Sequence, residues 1–257
     1  MRTALITGGA QGLGAAIARK FLGDGFAGVL LVDRNEKKLA AVQKELGKQA
    51  EIYCGDLRDG GTPAAAVSKA MKSFGRLDVL VNAAGNTERC GIEDTTPEAY
   101  ERLFDVNVKA PLFMMQAAAK PMVAAKSGVI INVASMLAHG GPPNLATYSA
   151  SKSALMTLSR NAANTFKRDG VRVFCINLGW TLTDGEHELQ TGFHKMPQDW
   201  AEKIGARMPF GRLITADDVA GLCAFLVSPP AQMMTGAVID YEQMPLGTFD
   251  EHPALKP

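Results

Sequence analysis

Short, continuously apolar segments alternate with longer amphipathic ones along most of the chain. Runs such as Val79-Leu80-Val81 and Val129-Ile130-Ile131 are typical of strands that are buried on both faces of a parallel sheet. The stretches between such runs have the apolar spacing of helices. The pattern predicts strands over 3–7, 28–32, 51–54, 78–82, 128–133, 171–176 and 236–240, and helices over 12–23, 36–47, 62–74, 96–125, 147–168 and 216–227.

This alternation favours an α/β fold, in which right-handed crossovers place helices on both faces of a parallel sheet. With seven predicted strands, we expect one doubly wound, seven-stranded parallel sheet. A chain of 257 residues is within the range of one large domain. The sequence shows no internal repeat or linker, so we expect residues 1–257 to form a single domain.

Composition narrows the possible partners. Lys plus Arg number 27 and Asp plus Glu number 26, so the charges nearly cancel. This balance does not suggest a surface that binds nucleic acid or membranes. Cys54, Cys90, Cys175 and Cys223 lack metal or redox spacing, and three of them lie in or beside apolar runs, so we expect buried free thiols. The His and carboxylate residues also lack metal-ligand spacing, so no metal site is expected. Without a signal-peptide pattern or an apolar run of about 20 residues, we expect a soluble cytoplasmic protein.

A glycine-rich turn follows the first predicted strand. Gly8, Gly12 and Gly14 lie between that strand and the first predicted helix. Strand, glycine turn and helix form the arrangement in which backbone N–H groups and the helix N-terminus face a pyrophosphate. We therefore expect a Rossmann-type dinucleotide site. Its pyrophosphate contacts are expected from Gly8, Gln11, Gly12, Leu13 and Gly14.

The residue at the end of the second apolar run bears on the choice of dinucleotide. Asp33 stands nineteen residues after Gly14, where a carboxylate would accept hydrogen bonds from the adenosine ribose. A carboxylate there would repel the 2′-phosphate of NADP, so NAD is favoured. Arg34 follows directly, and its guanidinium could stack on adenine or reach a 2′-phosphate, which leaves NADP as the alternative.

Tyr148 and Lys152 stand four residues apart in a predicted helix, and Ser135 precedes Tyr148 by thirteen. Residues at i and i+4 share a helix face, so the phenol and the ammonium would project side by side. A nearby positive charge is expected to lower the pKa of the phenol from its ordinary value of about 10. Tyr-x-x-x-Lys alone is more often an ordinary helix surface, but the glycine turn makes proton transfer beside a hydride acceptor the better interpretation.

Taken together, these motifs resemble the short-chain dehydrogenase/reductase family in its compact, single-domain form. The resemblance runs from about residue 3 to about residue 240 and implies a Rossmann fold, a nicotinamide cofactor and usually a homotetramer. It implies a catalytic tetrad of Asn107, Ser135, Tyr148 and Lys152, with Asn107 bending its helix and holding a water beside the Lys. It rests on Thr7-Gly8-x-x-x-Gly12-x-Gly14, Asn82-Ala83-Ala84-Gly85, Asn107, Ser135 and Tyr148-x-x-x-Lys152.

The family pattern also implies further cofactor contacts near strand ends. Asp56 would lie beside the adenine amino group, and Lys152 would bond the nicotinamide ribose. The other implied contacts are Leu57, Asn82, Ala83, Ala84, Tyr148, Thr181 and Thr183. Leu178 departs from the proline that the family usually has, and Asp240-Tyr241-Glu242-Gln243 replaces its usual Asp-Gly-Gly. The tail from 247 to 257 is expected either to reach a neighbouring subunit or to be disordered.

The substrate pocket is expected between the segments after Ser135 and after Asn86 and a mobile lid over about 183–210. The lid is polar, and the residues that could meet a hydroxyl-rich ligand there are Asp184, Glu186, His187, Gln190 and His194. We expect substrate contacts from Ser135, His139, Tyr148 and Glu186.

The favoured function is NAD-dependent oxidation of a secondary alcohol in a sugar, sugar acid or polyol. The first alternative is an NADPH-dependent 3-oxoacyl thioester reductase, against which Asp33 and the near-neutral charge argue mildly. The second is a dinucleotide-binding regulator without turnover. Such proteins usually lack a catalytic group, whereas all four members of the tetrad are present here.

Overall fold

The computed structural model describes residues 1–247. Seven parallel strands form one sheet in the order β3-β2-β1-β4-β5-β6-β9, which confirms the predicted doubly wound α/β fold. A separate two-stranded sheet joins β7 to β8. The strands are β1 (Thr3–Thr7), β2 (Gly28–Asp33), β3 (Ala50–Cys54), β4 (Val79–Asn82), β5 (Gly128–Ser135), β6 (Val171–Leu178), β7 (Thr181–Leu182), β8 (Ile214–Thr215) and β9 (Val238–Tyr241).

The strand order reverses between β1 and β4, which pair in parallel with Thr7 opposite Asn82. In such sheets the crevice outside the carboxyl ends of the strands at the reversal point is where ligands bind. Ser135 was predicted to lie beyond the fifth strand, but it is the last residue of β5 and pairs with Leu178 of β6. The structure therefore holds Ser135 on the sheet itself, at its carboxyl edge.

Helices cover both faces of the sheet. α1 and α9 pack on one face through side chains such as Ile17, Phe21 and Val219. α3, α5 and α6 pack on the other face, where Met114 and Ala163 are buried. The helices are α1 (Gly12–Gly23), α2 (Glu36–Leu46), α3 (Thr62–Phe74), α4 (Pro97–Phe104), α5 (Ala110–Ala124), α6 (Ala146–Phe166), α7 (Asp184–Gly192), α8 (Trp200–Gly205) and α9 (Ala216–Leu226).

The single helix predicted over 96–125 is wrong in one respect. The segment forms α4 and α5 with a π-helical turn, Asp105–Lys109, between them. Such turns open a helix locally and are frequent at functional sites. Asn107 lies in this turn, fully buried, and its side-chain hydrogen bonds to Asn86 and Ser151 favour the wider turn over a regular helix.

The lid predicted over 183–210 contains two helices, α7 and α8, that the sequence pattern did not indicate. Thr183 begins α7 as its N-cap and accepts a hydrogen bond from the Glu186 backbone at 3.1 Å. The fully buried Trp200 of α8 stacks on Trp180, with ring centroids 5.6 Å apart. β7 pairs with β8, so the two ends of the lid are fastened together.

Cys90, Cys175 and Cys223 are buried and Cys54 is exposed, and all four are free thiols. Within residues 1–247, no helix is long and apolar enough to span a bilayer. Apart from Gly247, the predicted tail lies outside the described residues.

Candidate active site

A cavity of about 1190 Å³ opens at the carboxyl ends of the strands. Gly8, Gly12 and Asp33 line one end, and Ser135, Tyr148 and Glu186 line the other. Its volume exceeds the roughly 300–1,000 Å³ common for small-molecule sites, so it has room for a dinucleotide together with a substrate. We call these parts the adenosine end and the catalytic end.

The turn between β1 and α1 leaves no room for a side chain at Gly8 or Gly14. Gly8 has a φ of +69°, and a Cβ there would lie 2.9 Å from the backbone N of Ala84. A Cβ on Gly14 would lie 2.7 Å from the carbonyl carbon of Gly8 and closer still to its oxygen. Gln11, the N-cap of α1, makes no side-chain cap bond, and its Oε1 accepts from Lys38 instead. The N-terminal amides of α1 therefore fit a pyrophosphate.

Charged residues line the adenosine end. Asp33 Oδ1 accepts from the Asn35 backbone at 3.0 Å, and Arg34 is exposed beside it. Asp56 forms a two-pronged ion pair with Arg58, whose Nε and Nη2 lie 3.0 and 2.6 Å from Oδ2, and this hydrogen bonding lowers the pKa of the Asp56 carboxyl. The sequence did not indicate this pairing, which engages the carboxylate that the family pattern places beside adenine.

At the catalytic end, β5 and α6 bring Ser135, Tyr148 and Lys152 together. Burial raises the pKa of Tyr148 to about 12, and a hydrogen bond with Ser135 partly offsets this. Burial lowers the pKa of Lys152 to about 8, and its Nζ donates to the Val133 carbonyl at 2.9 Å. The pKa of Tyr148 is therefore raised and not lowered as expected, because burial has the largest effect on it. Lys152 Nζ lies 5.8 Å from the centroid of the Tyr148 ring, and the charges that act on the phenol are those of Glu186 and Arg89.

Asn107 lies behind the cavity rather than in its lining. Its Nδ2 donates to the Asn86 carbonyl at 2.9 Å and to Ser151 Oγ at 3.0 Å, and its Oδ1 accepts from the Asn86 backbone at 2.8 Å. A Cβ on Gly85 would lie 3.6 Å from Lys152 Nζ and 3.7 Å from Asn107 Oδ1. Gly85 thus lies close to both side chains, and Asn107 fastens the loop that follows β4.

Most of the predicted cofactor contacts line the cavity, including Leu13, Leu57, Ala83, Ala84, Thr181 and Thr183. Asn82 does not, and this corrects the prediction. Its side chain is buried within the sheet layer and donates to Asn132 Oδ1 at 2.8 Å.

The structure also corrects the prediction for His139, which is not part of the cavity lining. Its Nε2 lies 3.1 Å from Asn177 Nδ2 and 3.3 Å from Asp240 Oδ1, beside the ends of β6 and β9. Asp184 and His187 of the lid also lie outside this lining, whereas Glu186, Gln190 and His194 are in it.

The lining residues that the sequence did not indicate include Arg89, Trp180 and Glu242. Glu186 Oε1 accepts from Trp180 Nε1 at 2.9 Å and from Gln190 Nε2 at 2.7 Å, which fixes the carboxylate in the catalytic end. Glu242 packs directly on Gly179. Trp180 stands two residues after the end of β6, and this position is a signal for it in the sequence, since lining residues follow strands.

Comparison with known proteins agrees with this architecture. The family model described as short chain dehydrogenase matches residues 2–192. The sorbitol dehydrogenase of Cereibacter sphaeroides is 35% identical over 237 residues, which cover 90% of this chain and 91% of that protein. The chain therefore belongs to the short-chain dehydrogenase/reductase family. It is an NAD(P)-dependent alcohol dehydrogenase or carbonyl reductase.

Two solved structures extend the comparison. The 3-ketoacyl-(acyl-carrier-protein) reductase from Brucella melitensis, complexed with NADH, is 30% identical in sequence, and its TM-score is 0.83. The match covers 94% of this chain and 97% of that chain. An NAD+-bound xylitol dehydrogenase is 26% identical in sequence, and its TM-score is 0.85. That match covers 95% of this chain and 98% of the xylitol dehydrogenase chain. These similarities support a nicotinamide dinucleotide as the cofactor.

Proposed function

We propose that this enzyme uses NAD to oxidise a secondary alcohol of a sugar, sugar acid or polyol. The observation that carries the proposal is the polar wall of the catalytic end, where Trp180 and Gln190 hold the carboxylate of Glu186 in the cavity that Tyr148 lines. A fixed carboxylate is a good acceptor for substrate hydroxyl groups. The similarity to a sorbitol dehydrogenase and a xylitol dehydrogenase supports the same substrate class.

Preference for NAD rests on Asp33. Its carboxylate lines the adenosine end, where it would accept bonds from ribose hydroxyls and repel a 2′-phosphate. The glycine turn and the N-terminus of α1 would hold the pyrophosphate. The full set that we assign to the cofactor is Gly8, Gln11, Gly12, Leu13, Gly14, Asp33, Arg34, Asp56, Leu57, Ala83, Ala84, Tyr148, Lys152, Thr181 and Thr183.

The bound nicotinamide supplies the hydride acceptor. In oxidation, Tyr148 as phenolate removes the hydroxyl proton while the carbinol carbon loses its hydride and the C–O bond becomes a carbonyl. Ser135 donates a hydrogen bond to the substrate oxygen, and Lys152 would bond the ribose of the nicotinamide. Asn107 would hold a water beside Lys152 through which the proton returns to solvent. Because the buried phenol keeps its proton at neutral pH, oxidation is expected to accelerate as the pH rises, whereas reduction uses the protonated form.

The proposal includes a homotetramer in the cytoplasm, on the strength of the family resemblance. It also treats residues 1–257 as one catalytic domain whose lid, with α7 and α8, closes over a small-molecule substrate.

A 3-oxoacyl thioester reductase is the second candidate, because a 3-ketoacyl reductase is among the similar solved structures. It would use the same proton transfer in the opposite direction. A regulator without turnover has less support, since Ser135, Tyr148, Lys152 and Asn107 are all in place.

A spectrophotometric screen at 340 nm tests the proposal. NAD and NADP are each offered with a panel of polyols, aldonates and sugars, and NADH and NADPH with a 3-oxoacyl thioester. We expect NAD-dependent turnover of at least one polyhydroxylated substrate. NADPH-dependent reduction of the thioester alone would establish the second candidate instead.

A further inference from the structure

We propose that Arg89 is a specificity-determining residue that binds a carboxylate of the substrate, so that the alcohol oxidised belongs to a polyhydroxy acid rather than to a neutral polyol. This inference rests on the proposed function and narrows its substrate class. It concerns a residue that lies in the loop after β4, outside the tetrad and the glycine turn.

Four arginines line the cavity: Arg34, Arg58, Arg89 and Arg102. Two of them are neutralised by carboxylates, since Arg58 pairs with Asp56 and Arg102 pairs with Glu88. Among residues 1–247, the other two have no carboxylate partner within 4.0 Å. Arg34 is exposed at the adenosine end, so Arg89 is the unpaired guanidinium at the catalytic end.

Arg89 is half-buried, yet its one side-chain hydrogen bond within the described residues is a long one, from Nη1 to the Thr87 carbonyl at 3.3 Å. A guanidinium has five N–H donors, and its planar edge matches the two oxygens of a carboxylate. Partial burial of a charge without a counter-ion costs free energy, which a ligand anion would recover. Arg89 is thus preformed to receive an anion.

The loop that carries Arg89 is held on both sides. Asn107 bonds the backbone of Asn86, and Arg102 bonds both carboxylate oxygens of Glu88, with Nε 3.0 Å from Oε2. Cys90 is buried directly after it. The loop itself then loses little conformational freedom when Arg89 binds a ligand, and preorganisation of this kind strengthens binding.

The charges around Tyr148 would orient a bound substrate. Arg89 lowers the pKa of the Tyr148 phenol and Glu186 raises it, so both charges act on the reacting hydroxyl. Glu242, packed on Gly179, adds a second carboxylate to the lining and has no cationic partner among the described residues. A substrate carboxylate would therefore be attracted to Arg89 and repelled by Glu186 and Glu242, while its hydroxyl groups would be accepted by Glu186.

Matched substrates test the inference. Initial rates with NAD are compared for sorbitol and gluconate, which differ at C1, for xylitol and xylonate, and for cyclohexanol and a hydroxycyclohexanecarboxylate. The wild type is compared with Arg89→Met, with Arg89→Lys, and with Lys69→Met, which removes an equal charge from a surface ion pair with Glu51, outside the cavity lining.

We expect the acid to exceed its neutral partner in kcat/KM by at least about tenfold. Arg89→Met should lower kcat/KM for the acid by about 10- to 100-fold, mainly through KM, because a charged hydrogen-bonded contact is lost. The neutral partner should change less than threefold, Arg89→Lys should restore part of the loss, and Lys69→Met should leave the acid-to-neutral ratio unchanged. Preference for neutral polyols, or an equal loss for both members of a pair, would overturn the inference while leaving the proposed function standing.

If no alcohol is turned over with either dinucleotide, the proposed function fails and the Arg89 site is tested by binding alone. Calorimetric titration of gluconate and sorbitol into the NADH-loaded enzyme should then show gluconate binding that Arg89→Met abolishes. Equal affinity of the two ligands, or binding that survives Arg89→Met, would overturn the inference.

Discussion

The adenosine end and the catalytic end of the cavity are built by opposite means. The adenosine end is formed largely by backbone, and Gly8 and Gly14 are packed so closely that an added Cβ would collide with a neighbouring peptide. The catalytic end is formed by buried side chains, and burial shifts the pKa of Tyr148 to about 12 and that of Lys152 to about 8. Substitution is therefore limited by shape at the adenosine end, and by charge and the position of protons at the catalytic end.

The most damaging change at the catalytic end should be Tyr148→Phe, which keeps the ring and removes only the proton-carrying oxygen. We expect kcat to fall by about 10²–10⁴-fold, the usual contribution of positioned acid–base catalysis. The dissociation constant for NADH, measured by fluorescence titration, should change less than about threefold. Retention of a tenth of the activity would show that Tyr148 is not the acid–base group.

Lys152→Met should remove the pH dependence of stability that comes from burying the Lys152 amine at the catalytic end. Between pH 8 and 10.5 the folded chain has released the Lys152 proton and the unfolded chain still holds it, so the free energy of unfolding rises with pH over this window. Denaturant titration should show the wild type gaining up to about 3 kcal/mol relative to the variant between pH 7 and 10.5. Cys223 titrates in both proteins and is shifted by burial alone, so its contribution cancels in the difference. Cys175 interacts electrostatically with Lys152, so the difference also includes the loss of that interaction.

The same titration of Lys69→Met provides the control, because Lys69 is partly exposed and pairs with Glu51 at the surface. A wild-type difference that does not vary with pH would mean that Lys152 is not buried with a lowered pKa.

At the adenosine end, Gly14→Ala adds only a methyl group. Because that methyl would meet the Gly8 carbonyl, we expect a loss of about 1–3 kcal/mol in unfolding free energy. The displaced turn should also weaken NADH binding by at least about tenfold in the same fluorescence titration. Gly23→Ala, at the other end of α1, is the matched control, since a Cβ there has no neighbour within 4 Å. Equal effects of the two variants would contradict the close-packing argument.

Asp33→Asn should have the smallest effect and separates charge from shape at the adenosine end. The amide keeps the size of the side chain but no longer repels a 2′-phosphate, so the ratio of kcat/KM for NADP to that for NAD should rise by about tenfold. Asp59→Asn, outside the cavity lining, should leave the ratio unchanged. If the ratio is unaltered in Asp33→Asn, Arg34 and not Asp33 determines the choice between NAD and NADP.

Much of this architecture could be predicted because it depends on local patterns. The apolar runs indicate seven strands, and the parallel order then requires residues at their ends, such as Gly8, Asp33 and Ser135, to meet at one edge of the sheet. The errors came from contacts between distant segments. Asn82 bonds Asn132 and His139 bonds Asp240, partners 50 and 101 residues away, which no local pattern encodes.

The direction of the Tyr148 pKa shift was missed for a related reason. The spacing of Tyr148 and Lys152 is visible in the sequence, but the depth at which the fold buries both groups is not. Burial penalises each charged form, and it is the largest cause of the pKa shift of both groups.

The pairing of β7 with β8 has a consequence for how such an enzyme could acquire new substrates. Thr181 lies opposite Ile214 and Leu182 opposite Thr215, so the chain leaves and rejoins the fold at one place. The segment after Thr183 carries Glu186 and Gln190 but no strand of the seven-stranded sheet. It can therefore be exchanged for a segment of different length or polarity as an interchangeable cassette, because the closure is local and a longer loop adds little entropic cost. Evolution, or a protein engineer, can revise specificity here without rebuilding the machinery for hydride transfer.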